Sequence, residues 1–304
     1  MSKKAFIFPG QGSQYVGMAK DLFDNSVEAK EMIRTADDIL SVNLSYTMFN
    51  GPEDELKQTQ YTQPAIFLQS VVLASLIRTL DADAAAGHSL GEYSAYVASG
   101  SIQFHEAIQL VRARGVAMQE SGDNNKGTMA AVIGLDPDKV ELICAEASDS
   151  GIVQCANFNS PGQIVISGSV GGVKKAMELC KSSGAKMVKE LVVSAAFHSK
   201  LMISAKEKLE SALDTTNFYS SKFPVYTNVT AKPVNTIEEI KSILYEQITS
   251  PVRWEETIRN MINDGIEEFY EIGPGNVLQG LVKRINPDVK RFGIDKFADV
   301  EKYL

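Results

Sequence analysis

Short apolar runs alternate with helical patterns along much of the chain, and this alternation constrains the fold more than any other feature. Runs with the length of buried strands occur at 4–8, 81–86, 223–226 and 267–272. Helical patterns occur at 28–40, 64–80, 104–118, 199–213, 236–248 and 254–264. Because parallel strands need crossover helices between them, the pattern predicts an α/β fold with a mainly parallel, hydrolase-like sheet and helices on both faces.

The middle of the chain follows a different order of elements. After a polar stretch at 123–127, expected to be a linker, the patterns predict strand, helix, strand, strand, helix and strand at 128–133, 137 onward, 152–156, 163–167, 170–183 and 186–193. The order β-α-β-β-α-β is typical of a ferredoxin-like unit. We therefore expect an α/β catalytic core formed by 1–124 and 196–304, with an inserted ferredoxin-like subdomain at 125–195.

Composition excludes several classes of protein. The 304 residues carry a net charge of −8. The chain lacks the excess of basic residues that is typical of nucleic-acid-binding proteins, which argues against a nucleic-acid partner. The three cysteines are far apart and form no metal-binding pattern, so we expect free thiols, no metal and no cofactor. The apolar run near the N-terminus is too short for a signal peptide, and 65–77 is too short and too polar to span a membrane. We expect a cytoplasmic protein with no membrane contact.

Residues Gly87-His88-Ser89-Leu90-Gly91 lie between a predicted strand and a predicted helix. At such a turn the serine hydroxyl is lifted clear of the backbone, and the flanking glycines let the chain turn without a clash. The N–H of Leu90 would begin the helix and could stabilise an oxyanion. The pattern predicts Ser89 as the nucleophile of an acyltransferase or, because hydrolases share this elbow, of a serine esterase or thioesterase. A glycine-rich turn without function is the alternative.

A serine nucleophile needs a base, and the chain has three histidines. His88 adjoins Ser89 and is expected to point away from it and stabilise the turn. His105 begins a helix, where a solvent-facing side chain is expected. His198 lies where the predicted subdomain rejoins the core, the place where a cleft between them would fall, so it is the leading candidate base. The group that orients it stays open between a carboxylate, an amide and a backbone carbonyl.

Arg114 lies beside the apolar stripe of the 104–118 helix. A guanidinium near the core needs an anion, which is more often an internal carboxylate than the carboxylate of a substrate. The Gly10-Gln11-Gly12-Ser13-Gln14 loop follows the first strand but lacks the third spaced glycine and the lysine of nucleotide-binding loops. We expect its backbone N–H groups to face the elbow instead.

Seven motifs occur in the order found in one family and extend over nearly the whole chain. They are Phe8-Pro9-Gly10-Gln11-Gly12-Ser13-Gln14, Gly87-His88-Ser89-Leu90-Gly91-Glu92-Tyr93-Ser94-Ala95, Arg114-Gly115, Asn157-Phe158-Asn159-Ser160-Pro161-Gly162-Gln163, Phe197-His198-Ser199, Gln247 with Ser250-Pro251-Val252-Arg253-Trp254, and Glu271-Ile272-Gly273-Pro274-Gly275. The chain resembles the malonyl-CoA:acyl carrier protein transacylases over essentially its full length.

The resemblance implies transfer of a malonyl group from malonyl-CoA to the phosphopantetheine thiol of acyl carrier protein, in fatty acid biosynthesis. Ser89 would carry the malonyl group, and His198 would act as general base and then as general acid. In this family the orienting group is a main-chain carbonyl, which corresponds to that of Gln247. The N–H groups of Gln11 and Leu90 would hold the oxyanion.

The family also pairs the malonyl carboxylate with the arginine that corresponds to Arg114. The sequence Ala195-Ala196-Phe197-His198-Ser199 resembles the malonyl-selective version that modular synthase acyltransferase domains also carry. A different extender unit and a polyketide pathway therefore stay open.

Acyl carrier proteins are acidic, as this chain is, so we expect a local basic patch to hold the carrier. Residues 171–208 contain eight lysines and three glutamates. The lysines expected to contact the carrier are Lys174, Lys175, Lys181, Lys186 and Lys189. An ordinary solvated face is the alternative. We expect the chain to be a monomer.

Overall fold

A computed structural model describes residues 2–234 and 236–304. Its strands are β1 (Lys3–Phe8), β2 (Ala84–Gly87), β3 (Gly127–Ile133), β4 (Val153–Ser160), β5 (Gln163–Ser169), β6 (Met187–Glu190), β7 (Val225–Tyr226), β8 (Pro233–Val234), β9 (Ile266–Ile272) and β10 (Lys290–Ile294). Its α-helices are α1 (Lys20–Asn25), α2 (Val27–Leu40), α3 (Leu44–Asn50), α4 (Glu53–Leu56), α5 (Thr59–Leu76), α6 (Gly91–Ala98), α7 (Phe104–Asn124), α8 (Pro137–Ala147), α9 (Val170–Ser182), α10 (Ile203–Thr215), α11 (Ile237–Gln247), α12 (Trp254–Asn263), α13 (Val277–Ile285) and α14 (Phe297–Val300).

The larger sheet has six strands in the order β10-β9-β1-β2-β7-β8. Neighbours from β10 to β7 are parallel, and β8 is antiparallel to β7. Alternate residues of β1 face two separate cores: Phe6 and Phe8 pack with α5 and α6 on one face, and Ala5 and Ile7 pack with α12 and α13 on the other. The prediction of a mainly parallel sheet with helices on both faces is therefore confirmed.

The smaller sheet is antiparallel, with the strand order β4-β5-β3-β6. Side chains of α8 and α9, among them Val140 and Val173, pack on Val132 and Ile164 of one sheet face. The order of elements along the chain and the sheet order together give the predicted ferredoxin-like unit. The smaller sheet contacts the core where β4 lies against the segment before α12, since Phe158 N–H donates to the carbonyl of Val252.

The structure differs from the local predictions in several places. The stretch 123–127 is not a linker, because α7 continues to Asn124 and β3 begins at Gly127. Strand β6 ends at Glu190, earlier than predicted, because the chain leaves the sheet after the Leu191 N–H bonds to the carbonyl of Met129. Strand β10 was not predicted, because it is an edge strand with a single buried residue, Ile294, and so lacks apolar periodicity.

The three cysteines, Cys144, Cys155 and Cys180, are free thiols buried in the core of the smaller sheet. Burial raises the pKa of Cys180 to about 11, so that thiol is protonated at neutral pH. Within residues 2–234 and 236–304, no helix is both long and apolar enough to cross a bilayer. In the same described ranges, no group of three or more His, Cys, Asp and Glu side chains is arranged to hold a metal ion.

Candidate active site

A sharp turn joins the end of β2 to the start of α6 and places Ser89 at the carboxyl edge of the parallel sheet. Ser89 has a φ of 52°, a left-handed conformation that is strained for a residue with a side chain. The chain on either side must come very close to itself. A Cβ on Gly87 would lie 1.8 Å from the carbonyl carbon of Gly91, and one on Gly91 would lie 2.0 Å from the carbonyl oxygen of Phe8. Only glycine fits both positions, so the sequence builds the strained elbow.

The side-chain amide of Asn228 fixes this turn from the neighbouring strand. Its Oδ1 accepts the backbone N–H of Ser89 at 2.6 Å, and its Nδ2 donates to the carbonyl of Gly87 at 2.7 Å. Asn228 follows β7, which pairs with β2 in parallel, so the two carboxyl ends lie side by side. The amide therefore holds Ser89 in a conformation that its own backbone does not favour.

His198 lies directly opposite the serine hydroxyl. Its Nε2 is 2.8 Å from Ser89 Oγ, and its Nδ1 is 2.9 Å from the carbonyl oxygen of Gln247 and 3.1 Å from that of Ser250. Because carbonyl oxygens only accept, Nδ1 carries the proton and the lone pair of Nε2 faces the hydroxyl. The candidate orienting group left open by the sequence is thus a pair of backbone carbonyls, one of them that of Gln247.

The smaller sheet also holds the backbone of His198. Nε2 of Gln154, on β4, donates to the carbonyl of His198 at 3.1 Å, and His198 has a φ of 55°. The imidazole is 97% buried, with 3% of the residue exposed. The pKa of His198 is lowered to about 3. Burial is the larger cause, and the neighbouring Arg114 cation is the second. The imidazole is therefore neutral at physiological pH and able to accept a proton.

This low pKa predicts how the reactivity of Ser89 depends on pH. If neutral His198 activates the hydroxyl, inactivation by the small neutral reagent phenylmethylsulfonyl fluoride should keep a level rate from about pH 8 to about pH 5. If the imidazole had its ordinary pKa, the inactivation rate would instead fall as the pH drops through about 6.5. Measuring the inactivation rate across this range tests the prediction, and a midpoint near 6.5 would contradict it.

Arg114 of α7 lies buried beside the nucleophile, with 1% of the residue exposed. Its Nη2 donates to Ser89 Oγ at 3.0 Å and to Gln247 Oε1 at 2.9 Å, and its Nη1 donates to Gln63 Oε1 at 2.7 Å. Its Nε has no partner. Among the described residues, no carboxylate forms an ion pair with this guanidinium. Neutral side chains hold the cation, and burial lowers its pKa.

A cavity of about 280 Å³ connects these groups with solvent. Ser89, His198 and Arg114 line it, together with Gln11 and Leu90. The backbone N–H groups of Gln11 and Leu90 donate to no acceptor in the described part of the chain. Two free N–H donors on residues that line the same cavity as the serine hydroxyl match what an oxyanion requires. Apolar side chains form much of the remaining wall, among them Met118, Met129, Val165, Leu191, Phe197 and Leu281.

The other two histidines lie where the sequence placed them. His88 forms no hydrogen bond with the nucleophile, and its Nε2 is 2.9 Å from Asn159 Oδ1. Its ring lies 5.6 Å from that of Trp254, so it packs within the turn region. His105 is exposed at the start of α7.

Sequence reasoning missed Asn228 and the part played by Glu92. Glu92 belongs to the motif around Ser89, and its buried Oε2 accepts from the Asn228 backbone N–H. A signal for Asn228 was available in the sequence, because it is a polar residue that closely follows a predicted parallel strand.

Known proteins resemble this chain over nearly its full length. A malonyl CoA-acyl carrier protein transacylase of Bacillus subtilis (strain 168) is 43% identical over 304 residues, covering 99% of this chain and 96% of that protein. The crystal structure of an acyl-carrier-protein-S-malonyltransferase from Bartonella henselae superposes with a TM-score of 0.95 at 41% identity, covering 99% of this chain and 98% of the other. A malonyl-transacylase solved in complex with its type II PKS acyl-carrier protein gives a TM-score of 0.96 at 40% identity, covering 100% and 99%.

The fold, the serine elbow and the matching sequence profile define the class of protein. The profile of the family described as "Acyl transferase domain" matches residues 5–291, so this chain is an acyl transferase domain protein. Within that class it belongs to the malonyl-CoA:acyl carrier protein transacylase family, because relatives of that name align with it from end to end. The resemblance stated from the sequence motifs is confirmed.

Proposed function

We propose that this chain transfers the malonyl group of malonyl-CoA to the phosphopantetheine thiol of acyl carrier protein, in fatty acid biosynthesis, through a malonyl ester on Ser89. The transfer proceeds in two half-reactions at the same serine. It uses no metal or cofactor, because imidazole, hydroxyl and backbone N–H groups supply each step. Every group involved comes from one chain, which suits a monomer, and free buried thiols suit a reducing compartment such as the cytoplasm.

The single observation that carries this proposal is the unpaired cation beside the nucleophile. Arg114 lies 3.0 Å from Ser89 Oγ, is buried, and forms no ion pair within the described residues. The carboxylate of Glu92 is linked to the guanidinium only through the Gln247 amide, so no anion contacts Arg114 directly, and a carboxylate of the substrate would supply that contact. The malonyl group carries its carboxylate two bonds from the thioester carbonyl. It can therefore reach the guanidinium while the carbonyl faces Ser89.

In the first half-reaction, Ser89 Oγ attacks the thioester carbonyl carbon of malonyl-CoA while His198 Nε2 takes the hydroxyl proton. The carbonyl oxygen becomes an oxyanion, and the N–H groups of Gln11 and Leu90 donate to it. The carbon–sulfur bond then breaks. The CoA thiolate leaves with the proton held on His198, and the malonyl ester remains on Ser89.

In the second half-reaction, the thiol of the carrier protein enters in place of CoA. His198 Nε2 takes the thiol proton, and the sulfur attacks the ester carbonyl carbon. A second oxyanion forms in the same place and collapses by breaking the bond to Ser89 Oγ. The proton returns from His198 to the serine oxygen, so the enzyme is regenerated and the malonyl group leaves on the carrier.

Incubation with radiolabelled malonyl-CoA, with and without acyl carrier protein, tests the proposed function. We expect label on Ser89 that is stable without the carrier and moves to the carrier when it is added. The Ser89→Ala variant should take up no label. Rapid release of free malonate without carrier would instead indicate a thioesterase, the competing function that shares this elbow.

We propose that the chain divides into a catalytic core, 1–124 and 196–304, and an inserted subdomain, 125–195, that contacts the carrier. Two residues of the core, Met1 and Asn235, lie outside the described residues. Met129 and Val165 line the cavity, whereas their neighbours Ala130 and Ile164 face α8 and α9. One sheet face of the subdomain thus closes the active site, and the opposite face holds the helices.

This geometry separates the five candidate docking lysines into two groups. Lys174, Lys175 and Lys181 lie on α9, which covers the sheet face away from the cavity. Lys189 pairs with Ala131 in β3, so its side chain shares the cavity face with Met129. It lies two residues before Leu191, which lines the cavity. We propose that Lys189 contacts the acidic carrier beside the cavity entrance, and that Lys186, three residues earlier in the chain, contributes a second positive charge.

Reversing both charges should weaken the carrier half-reaction only. With Lys186→Glu and Lys189→Glu together, we expect the apparent KM for acyl carrier protein to rise by about tenfold at low salt, because tenfold is about 1.4 kcal/mol, or roughly 0.7 kcal/mol for each reversed charge. The rate of Ser89 acylation by malonyl-CoA should not change. Steady-state kinetics at several salt concentrations measures both.

The matched control carries the same change of charge on the other side of the same subdomain. Lys174→Glu with Lys175→Glu places two carboxylates on the exposed face of α9, and the KM for the carrier should stay within about twofold. An unchanged KM and salt dependence in the Lys186 and Lys189 double variant would remove these lysines from the docking surface.

A further inference from the structure

Glu92 is a buried carboxylate that takes no direct part in the proposed reaction. It lies in the first turn of α6, and the residue is fully buried. Its Oε2 accepts two hydrogen bonds, from the backbone N–H of Asn228 and from the side-chain Nε2 of Gln247, each at 2.9 Å. In the described residues no basic side chain forms an ion pair with it. The Arg114 cation stabilises this carboxylate without touching it, because the Gln247 amide accepts from Arg114 and donates to Glu92, so the direct hydrogen bonds of Glu92 are what its position must explain.

The two donors to Glu92 are the residues that hold the nucleophile and the base. Asn228 binds the backbone of Ser89 and Gly87 through its side chain. The main-chain carbonyl of Gln247 accepts from His198 Nδ1, and its side-chain Nε2 also donates to the Ser89 carbonyl at 3.0 Å. One oxygen atom therefore links the loop after β7, the end of α11 and the elbow.

We propose that Glu92 is a positioning residue, whose Oε2 acts as a double acceptor that holds Asn228 and Gln247 in register with the elbow, so that Ser89 and His198 face each other. It touches neither the substrate nor the reacting atoms. The inference rests on the proposed function for its effect on malonyl transfer, but the placement of Ser89 against His198 can be measured without malonyl-CoA.

The geometry indicates that the acceptor matters and the charge does not. The second oxygen, Oε1, accepts no hydrogen bond of ordinary geometry, although the Tyr96 hydroxyl lies near enough to lower the pKa of Glu92. Burial raises the pKa of Glu92 to about 7, which the backbone N–H of Asn228 and the amide of Gln247 partly oppose. A proton on the free Oε1 would leave Oε2 accepting the same two bonds. The neighbouring ionisable side chains that face it are Arg114, Tyr93 and Tyr96.

Two substitutions separate these roles. Glu92→Gln keeps an acceptor oxygen and the side-chain volume but removes the charge, whereas Glu92→Leu keeps a similar volume and removes the acceptor. The second-order rate constant for Ser89 modification by phenylmethylsulfonyl fluoride should stay within about threefold of the parent in Glu92→Gln and fall about 100-fold in Glu92→Leu. Single-turnover malonylation of Ser89 should follow the same order.

Ser94→Ala is the matched control, because Ser94 is a buried residue of the same helix whose hydroxyl has no partner. It should react at the parent rate. Circular dichroism and thermal melting establish which variants fold, and Glu92→Ala replaces Glu92→Leu if the latter does not.

A folded variant without the acceptor that reacts at the parent rate overturns the proposal. A folded Glu92→Gln variant whose rate constant for Ser89 modification falls about 100-fold also overturns the proposal, because the charge would then be required. If neither Glu92→Leu nor Glu92→Ala folds, the Glu92→Gln variant decides the question. Failure of the proposed function looks different: the parent protein would still react with the sulfonyl fluoride but would not pass malonyl groups to the carrier.

Discussion

His198→Ala should slow acylation of Ser89 by malonyl-CoA by about 10⁴-fold, the upper range for the loss of a general base. Nε2 lies 2.8 Å from Ser89 Oγ, and no other histidine lies within reach of it in the described residues. Without it, the hydroxyl proton has no acceptor as the carbon–oxygen bond forms. Rapid-quench measurement of labelled malonyl groups on Ser89 gives the rate directly.

Added imidazole separates the loss of a base from a disturbed fold. The missing side chain leaves a space next to Ser89 that two carbonyl acceptors, those of Gln247 and Ser250, still border. Free imidazole should therefore restore part of the rate in the alanine variant and none in the parent. His105→Ala, an exposed histidine on α7, is the control and should retain the parent rate. Acylation of the His198→Ala variant at a tenth of the parent rate or faster would contradict the assigned role.

Much of the site could be predicted from the sequence because local patterns determine it. The glycines around Ser89 specify a turn that only a strand–helix junction accommodates, and the structure has that junction. With three histidines to choose from, the position of His198 at the rejoining point of the inserted unit was enough to select it. The structure brings both residues to one cavity with Arg114.

The remaining contacts depend on which strands are neighbours, and no local pattern reveals that. Asn228 is 139 residues from Ser89 in the sequence and reaches it only because β7 pairs with β2. Without the strand order, Asn228 reads as an ordinary turn residue. Glu92 reads as an exposed first-turn carboxylate, the usual place for one, although it is buried. The far-side location of the α9 lysines likewise follows from the sheet face and not from their spacing.

Arg114→Ala should reverse the selectivity of the site between acyl groups. A malonyl carboxylate bound in the variant would be buried without its cation, and breaking a buried pair costs about 3–5 kcal/mol, so kcat/KM for malonyl-CoA should fall by about 1,000-fold. Acetyl-CoA has no carboxylate and leaves the parent guanidinium unpaired. Its kcat/KM should therefore stay within about tenfold of the parent value or rise.

Two variants and the choice of pH make this test specific. Arg112→Ala removes a second guanidinium from α7, one that donates to the carbonyl of Gln60 and does not line the cavity, so selectivity should not change. Arg114→Lys keeps the charge but loses the bidentate hydrogen bonding of the guanidinium, and should recover only part of kcat/KM for malonyl-CoA.

The Arg114 cation also lowers the pKa of His198, so its removal raises that pKa toward the ordinary value. At pH 8 the imidazole is neutral in every variant, so a loss there does not come from protonation of His198, and the comparison of malonyl-CoA with acetyl-CoA isolates the carboxylate contact. Equal losses for malonyl-CoA and acetyl-CoA at that pH would mean that Arg114 supports the fold of the site and does not read the acyl group.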